Sequence, residues 1–159
     1  MRFARLFAGT TATITAAIGL SLATAGPASA TDGSWRAYGN TNPITSSSST
    51  WKCASTVRLD TNVGAQVCVI RSASGGSVQG AVIVRNNQDN LYRVSATVSL
   101  YNSAGVWQGT TWSCPKSGVG ANSWSVCFGE TVTTSALRYA QAAATGDEDT
   151  ESLGRTQLI

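Results

Sequence analysis

The stretch LYRVSATVSLYN, residues 91–102, decides the fold class that the sequence predicts. Within it, apolar and polar side chains alternate without a break from Tyr92 to Tyr101. A period of two is typical of a β-strand with one face in a core and the other in water. Asn-rich sequence before the stretch and NSAG after it both favour turns. The stretch therefore predicts a half-buried strand.

Similar runs recur along the chain at intervals of about ten residues. They cover residues 54–61, 65–71, 78–85, 106–113, 123–128 and 131–143. The run 65–71 is apolar on both faces at its centre, which is typical of a buried strand, whereas 131–143 also suits a helix on propensity alone. Because no long helical period separates the runs, they predict an all-β, immunoglobulin-like antiparallel β-sandwich of about seven strands, with a small barrel as the alternative.

The first thirty residues have the pattern of a secretory signal peptide. Arg2 and Arg5 give a basic start, residues 12–25 are apolar and Ala-rich, and Ala28-Ser29-Ala30 supplies the small residues that signal peptidase recognises. Thr and Gly interrupt the apolar run, which makes it short for a membrane span. We therefore expect a secreted, extracellular protein whose mature chain has 129 residues.

Removal of this segment leaves the chain almost uncharged. Without Arg2 and Arg5, nine basic residues face eight acidic residues. Scattered positive charges do not form the basic stripe that binds a phosphate backbone, so nucleic acid is not an expected partner. A mature chain of this length suits one domain.

Export also predicts the state of the four cysteines, Cys53, Cys68, Cys114 and Cys127. An oxidising compartment would join them in two disulfides, for which three pairings exist. A repeated T-W-x-C sequence, starting at Thr50 and at Thr111, favours the local pairing of Cys53 with Cys68 and of Cys114 with Cys127. A zinc site is not expected, because short C-x-x-C spacing and histidine are both missing.

The sequence offers little catalytic chemistry. It contains no histidine, which removes the usual general base and the commonest metal ligand. A pair of carboxylates remains, as in glycoside hydrolysis, and Asp60, Asp89 and Glu130 each lie beside a predicted turn. Carboxylates at such positions are ordinary surface residues. We therefore expect no enzyme, no catalytic residue, no metal and no cofactor.

Two segments flank the predicted sandwich of residues 51–145. Residues 31–50 are rich in Ser, Thr, Gly and Asn, which predicts a flexible N-terminal arm. Its large side chains would either fold back on the domain or contact a partner. Residues 146–159 form an acidic C-terminal tail, where D-E-D-T-E lacks the spacing of a calcium loop and SLGRTQLI suits either a short edge strand or a frayed end.

The five tryptophans are the best functional clue in the sequence. Trp124 alternates with apolar residues and is expected in the core, whereas Trp51 and Trp112 each precede a cysteine by two and are expected to pack on a disulfide. Trp35 and Trp107 are expected to be exposed, where aromatic rings bind sugars or proteins.

The chain is also similar to secreted proteins of actinobacteria, whose short Ala- and Thr-rich signals precede chains rich in Gly, Ser and Thr. An arm that holds Trp35, Tyr38 and Ile44, followed by a small two-disulfide sandwich, resembles over residues 31–145 the adaptor subunit of Streptomyces umbrella toxin particles. In that family a small protein joins a lectin subunit to a toxin stalk. The resemblance implies a secreted, non-catalytic adaptor of a toxin complex. Its partner-binding residues, which would dock to another protein subunit, would be Trp35, Arg36, Tyr38 and Ile44.

Two alternatives from other functional classes remain open. The first is a polysaccharide-binding module, with Trp107 and the neighbouring Tyr101 as candidate ligand-binding residues. The second is a secreted protease inhibitor, whose inhibitory loop would be residues 115–122 beneath the second disulfide.

Overall fold

Two β-sheets pack face to face in the computed structural model, which describes residues 30–147 and 149–159. The expected signal peptide, residues 1–30, lies outside the described residues apart from Ala30. The strands are β1 (Thr31–Asp32), β2 (Ser34–Gly39), β3 (Thr50–Cys53), β4 (Val57–Asp60), β5 (Val63–Arg71), β6 (Ser77–Asn86), β7 (Tyr92–Asn102), β8 (Trp107–Val119), β9 (Ser123–Phe128), β10 (Val132–Thr133), β11 (Arg138–Thr145) and β12 (Thr150–Arg155).

The five-stranded sheet has the order β1-β8-β7-β11-β12, and the seven-stranded sheet has the path β2-β9-β6-β5-β3, with β4 on β5 and β10 on β6. Neighbouring strands are antiparallel, except that β1 runs parallel to β8 over two residues. The prediction of an all-β sandwich is confirmed. The described residues hold more strands than about seven, because β1, β2 and several other edge strands are too short or too polar to produce a clear alternation.

The main core lies between the sheets. The apolar side chains of β7 all point into it, and each is at most 4% exposed: Tyr92, Val94, Ala96, Val98 and Leu100. Val67 and Val69 of β5 face them from the other sheet. Full burial of each valine or leucine among them contributes about 1.5–3 kcal/mol. The alternation of residues 91–102 therefore corresponds to a strand with one face in the core, as the sequence predicts.

A second apolar cluster covers the outer face of the seven-stranded sheet. Cys68 and Ile70 of β5 are buried there, which confirms the prediction that residues 65–71 are buried on both faces. The partly buried side chains that cover this face are Tyr38, Ile44, Trp51, Trp124 and Phe128. The outer layer explains why a sheet at the surface of a small domain contains a strand without a polar face.

Residues 31–50 differ from the predicted flexible arm. β2 pairs with β9 from Ser34 to Gly39, and Asn42 holds the following turn by accepting the Ile44 N–H on its side-chain oxygen at 2.9 Å. Pro43 is buried. Of the two alternatives for its large side chains, the segment adopts the one in which they fold back on the domain. Local composition does not include the backbone hydrogen bonds from β9 or the apolar face that Ile44 covers.

Gly33 allows the chain to pass from one sheet to the other between β1 and β2. A Cβ at this position would lie 2.8 Å from Cys114 Sγ and 2.9 Å from the carbonyl oxygen of Phe128. Contacts this short exclude a side chain. The glycine therefore lets one segment contribute an edge strand to each sheet, β1 beside β8 and β2 beside β9.

Three other segments differ from the sequence predictions or resolve their alternatives. Most of the predicted loop 115–122 is strand, because β8 continues to Val119 through a register shift opposite Val94 and Ala96, where Pro115 is tolerated. The segment 131–143 forms β10 and the start of β11 rather than a helix. The acidic tail contains the edge strand β12. No helix in the described residues is long and apolar enough to cross a membrane.

Candidate functional site

The residues proposed from the sequence to bind a partner lie on the domain itself. Trp35 packs against the main core and donates its indole N–H to the carbonyl oxygen of Pro115 at 2.7 Å. Tyr38 and Ile44 belong to the outer cluster. Arg36 is exposed, and its guanidinium carbon lies 5.2 Å from the centroid of the Tyr38 ring. Of the four, only Arg36 is therefore exposed.

Tyr101 and Trp107 lie together on the outer face of the five-stranded sheet. They are cross-strand partners between β7 and β8, and Tyr139 of β11 is the partner of Tyr101 on its other side. The two tyrosine rings stack with centroids 5.2 Å apart, and Arg155 lies 5.7 Å from the centroid of the Tyr139 ring. Stacking therefore covers one face of each tyrosine ring.

Trp107 itself is 42% exposed, as the sequence predicts. Its indole N–H donates to the carbonyl oxygen of Thr110 at 3.1 Å, so the side chain lies along its own hairpin. Tyr139 and Arg155 were not identified from the sequence, because only the register of β11 and β12 brings them to this row. The result is a single exposed ring beside a self-stacked pair.

A groove of about 480 Å³ crosses the outer face of the seven-stranded sheet at one end. Its floor is a row of residues that are direct partners across four strands: Arg58 of β4, Gly64 of β5, Arg85 of β6 and Trp124 of β9. At the glycine, a Cβ would lie 2.7 Å from Thr56 Cγ2, so the Thr56 methyl group covers the row between the two arginine side chains. The remaining lining residues are Thr56, Asn62, Val63, Gln66, Ile83 and Asn87.

Arg85 is held in place by several contacts. Its Nε donates to Asn87 Oδ1 at 2.5 Å, and its Nη1 donates to Asn40 Oδ1 and to the carbonyl oxygen of Asn122, both at 3.0 Å. The guanidinium carbon lies 5.2 Å from the centroid of the Trp124 ring. These contacts fix the charge of Arg85 and the indole beneath it in one orientation.

Trp124 was expected in the core, and it lies instead at the edge of the outer cluster, half-buried and lining the groove. The alternation with Val126 and Phe128 correctly placed the three side chains on one face of β9. The face is the outer one, since the intervening Cys127 belongs to the main core. A period of two identifies a shared face but not the sheet surface to which it belongs.

The groove lining is positively charged. It includes the guanidinium groups of Arg58 and Arg85 and no aspartate or glutamate. The neighbouring Asp60 directs its carboxylate elsewhere, accepting the Thr61 backbone N–H at 2.6 Å and the Gln88 side-chain amide at 3.4 Å.

The three carboxylates considered for catalysis, Asp60, Asp89 and Glu130, are all exposed. Asp60 and Asp89 lie at the end of the seven-stranded sheet where β6 finishes at Asn86. Glu130 follows Gly129, whose N–H bonds the carbonyl of Gly80, six positions earlier on β6. At about 3.3 Å per residue this is about 20 Å away, too far for a carboxylate pair. The described residues contain no cluster of three or more metal-ligating side chains.

Both disulfides have the predicted pairing, Cys53–Cys68 and Cys114–Cys127. The first joins neighbouring strands β3 and β5 of one sheet, and the second joins β8 to β9 across the core. Trp51 and Trp112 each share an apolar cluster with the disulfide that they precede, as predicted. The two similar T-W-x-C sequences therefore belong to different kinds of disulfide, one within a sheet and one between the sheets.

Comparison with known proteins gives no assignment of function. No protein family and no characterised protein matches the sequence. Among solved structures, β-glucuronidase 2 of Bacteroides uniformis, covalently bound to cyclophellitol-6-carboxylate aziridine, is similar over 69% of this chain and 12% of its own length, with 12% sequence identity and a TM-score of 0.38.

Proposed function

We propose that the protein is a secreted, non-catalytic binding module that holds a polysaccharide in the groove of the seven-stranded sheet. The observation that carries the proposal is the row Arg58–Gly64–Arg85–Trp124, which brings an indole ring and two guanidinium groups to one groove. Secretion would account for two disulfides in so small a domain.

The chemistry of the lining suits a sugar chain. An aromatic ring offers an apolar surface to the C–H faces of sugars, and planar polar side chains bind hydroxyl groups at defined angles. The groove supplies the part of Trp124 that Arg85 leaves uncovered for the first contact, and the amides of Asn62, Gln66 and Asn87 for the second. Its volume of about 480 Å³ falls within the range of ligand sites.

A binding role also fits the charges around the groove. Hydrolysis of a glycosidic bond generally uses two carboxyl groups on either side of that bond, and the lining contains none. The Asp60 carboxylate accepts hydrogen bonds from Thr61 and Gln88, and Glu130 lies at the far end of the sheet. Retention of an intact chain is therefore the function that these residues support.

Depletion of the protein from solution by insoluble polysaccharides tests the proposal. Trp124→Ala should weaken binding about tenfold or more, because a central aromatic contact is commonly worth more than 1 kcal/mol. Trp107→Ala, which removes an exposed ring from the opposite sheet, is the matched control and should bind normally. Near-ultraviolet circular dichroism of each variant checks that the fold persists.

The reverse result would reject the groove. If Trp107→Ala lost binding and Trp124→Ala kept it, the ligand would lie on the outer face of the five-stranded sheet, beside Tyr101. If the unaltered protein bound none of a broad panel of polysaccharides, the glycan-binding function itself would be wrong.

The adaptor function is the second candidate, and it is favoured by β2, one edge of which has no partner strand among the described residues. β2 ends the seven-stranded sheet, with β9 on one side, and Arg36 and Ala37 in its centre are exposed. A partner in an extracellular toxin complex would then add a strand along this edge. Arg36→Glu should abolish co-purification of such a partner from the producing culture while leaving glycan binding unchanged. Deletion of residues 31–50 is a poor test, because it removes a strand of the sheet.

A further inference from the structure

The positive charge of the groove narrows the expected ligands from polysaccharides in general to those that carry negative charge. We infer that the groove selects an acidic polysaccharide, whose carboxylate groups pair with Arg58 and Arg85. This inference rests on the proposed function, because it concerns the same groove and defines the sugar that the groove takes.

The register places the two arginines in one line across the sheet. Arg58 is the partner of Gly64, and Gly64 is the partner of Arg85, so two strand spacings separate their Cα atoms. That distance is about 10 Å, long enough for more than one sugar unit. The Thr56 side chain lies over Gly64, so a chain laid along the row would pass over Thr56 between the two positive charges.

The guanidinium group of Arg85 is held in an orientation that can bind a carboxylate. Its Nε and Nη1 already donate to protein oxygens, and its Nη2 makes no hydrogen bond within the described part of the chain. A guanidinium held in this way loses little side-chain entropy when it binds an oxygen. The Trp124 ring beside it would contact the sugar that carries the carboxylate.

Arg58 provides the second charge and has no competing anion. It is exposed, and among residues 30–147 and 149–159 it makes neither a side-chain hydrogen bond nor an ion pair. The nearest acid on its strand, Asp60, is turned towards Thr61 and Gln88. A planar guanidinium binds a carboxylate through two parallel hydrogen bonds, which a neutral sugar cannot accept in the same way.

Affinity electrophoresis of the full secreted protein tests the inference. Native gels would contain polygalacturonate, the same polymer with its carboxylates methyl-esterified, dextran sulfate or polyglutamate. We expect retardation by polygalacturonate that is at least about tenfold stronger than by its ester, since charged hydrogen bonds contribute about 1.5–3 kcal/mol. Retardation by dextran sulfate and by polyglutamate should be weak.

Two arginine variants locate the interaction. Arg58→Gln should weaken the polygalacturonate interaction about tenfold and leave binding to the ester unchanged. Arg93→Gln, which removes an exposed charge from β7 on the other sheet, is the matched control and should behave like the unaltered protein. The Arg58 side chain makes no hydrogen bond or ion pair in the described part of the chain, so its replacement should leave the thermal unfolding midpoint nearly unchanged.

The outcomes separate this inference from the proposed function. Equal binding to polygalacturonate and to its ester would overturn the inference and preserve the glycan-binding function. Equal or stronger binding to dextran sulfate would show a general attraction to polyanions, and stronger binding to polyglutamate would show a peptide ligand; either would overturn it. Absence of binding to every polysaccharide would overturn both.

Discussion

Trp35 of β2 donates its indole N–H to the carbonyl oxygen of Pro115 in β8, across a sequence separation of 80 residues. The contact fastens β2 at the bulge of β8. It also uses the tryptophan that the sequence had suggested for a partner.

Replacement of Trp35 tests how much this contact stabilises the domain. Trp35→Phe keeps an aromatic ring and removes the donor, so the free energy of unfolding should fall by about 1 kcal/mol. Urea denaturation followed by circular dichroism measures it. Trp107→Phe, at an exposed position, should change the value by less than about 0.5 kcal/mol. Equal stability of Trp35→Phe and the unaltered protein would mean that the contact contributes nothing.

The two disulfides should differ in their susceptibility to reduction. Cys53 is half-buried in the edge strand β3, whereas Cys114 and Cys127 are 0% exposed. Because exchange requires a thiolate to reach a sulfur atom, mild reductant should open Cys53–Cys68 first. Alkylation of the new thiols and peptide mass analysis give the order. Earlier labelling of Cys114 and Cys127 would show that the two sheets separate before the edge strand detaches.

Arg71 should hold the C-terminal residues in place. Its Nη1 donates to the carbonyl oxygen of Thr134 at 2.5 Å, and its Nη2 to those of Ala136 and Ile159, both at 2.8 Å. Arg71→Met keeps much of the apolar stem and should lower the unfolding free energy by about 2 kcal/mol.

Carboxypeptidase digestion provides an independent measurement at the same position. Ile159 and the residues before it should be removed faster from Arg71→Met than from the unaltered protein, because the hydrogen bond from Arg71 to the Ile159 oxygen is lost. Arg93→Met, on an exposed site of β7, should change neither quantity. Unaltered digestion of Arg71→Met would show that the backbone bonds between Arg138 and Ile159 suffice.

Tyr92 should make stability depend on pH in the alkaline range. Burial raises the pKa of its hydroxyl above the ordinary value of 10.0, with smaller contributions from the charges of Asp60 and Asp147, while a backbone hydrogen bond from Asp147 opposes them. The folded state therefore favours the neutral phenol. The stabilisation is fully present below pH 10.0 and is lost as the pH rises through the higher pKa of the folded state.

Unfolding free energies of Tyr92→Phe and the unaltered protein, measured from pH 8 to pH 12, check this sign. The difference between the two should change above pH about 10, where the unaltered protein loses more stability. Other tyrosines and lysines titrate in both proteins and cancel in the comparison. Parallel curves over the whole range would show that Tyr92 has the same pKa in both states.

The elements predicted correctly depend on local patterns. The alternation of residues 91–102 and the two-faced apolar run 65–71 each identify a strand because the side chains of a strand point to alternate faces. Disulfide pairing followed from a repeated sequence near each cysteine. In all three the decisive residues lie close together in the chain.

The elements that were missed depend on partners far away in sequence. β2 is ordered by β9, and Ile44 by an apolar face of the seven-stranded sheet, so composition alone suggested an arm. The groove is an extreme example. Arg58, Gly64, Arg85 and Trp124 form one row only through the register of four strands, and no spacing in the sequence connects them.

The position of β2 has a consequence for biosynthesis. A ribosome makes Trp35 and Tyr38 early, yet the strand that receives them, β9, is made near the end of the chain. Until β9 is synthesised, β2 has no strand to pair with, and the rings of Trp35 and Tyr38 remain unpacked. The nascent polypeptide therefore exposes aggregation-prone aromatic side chains during most of its translation. Folding can finish only after almost all of the chain has been synthesised.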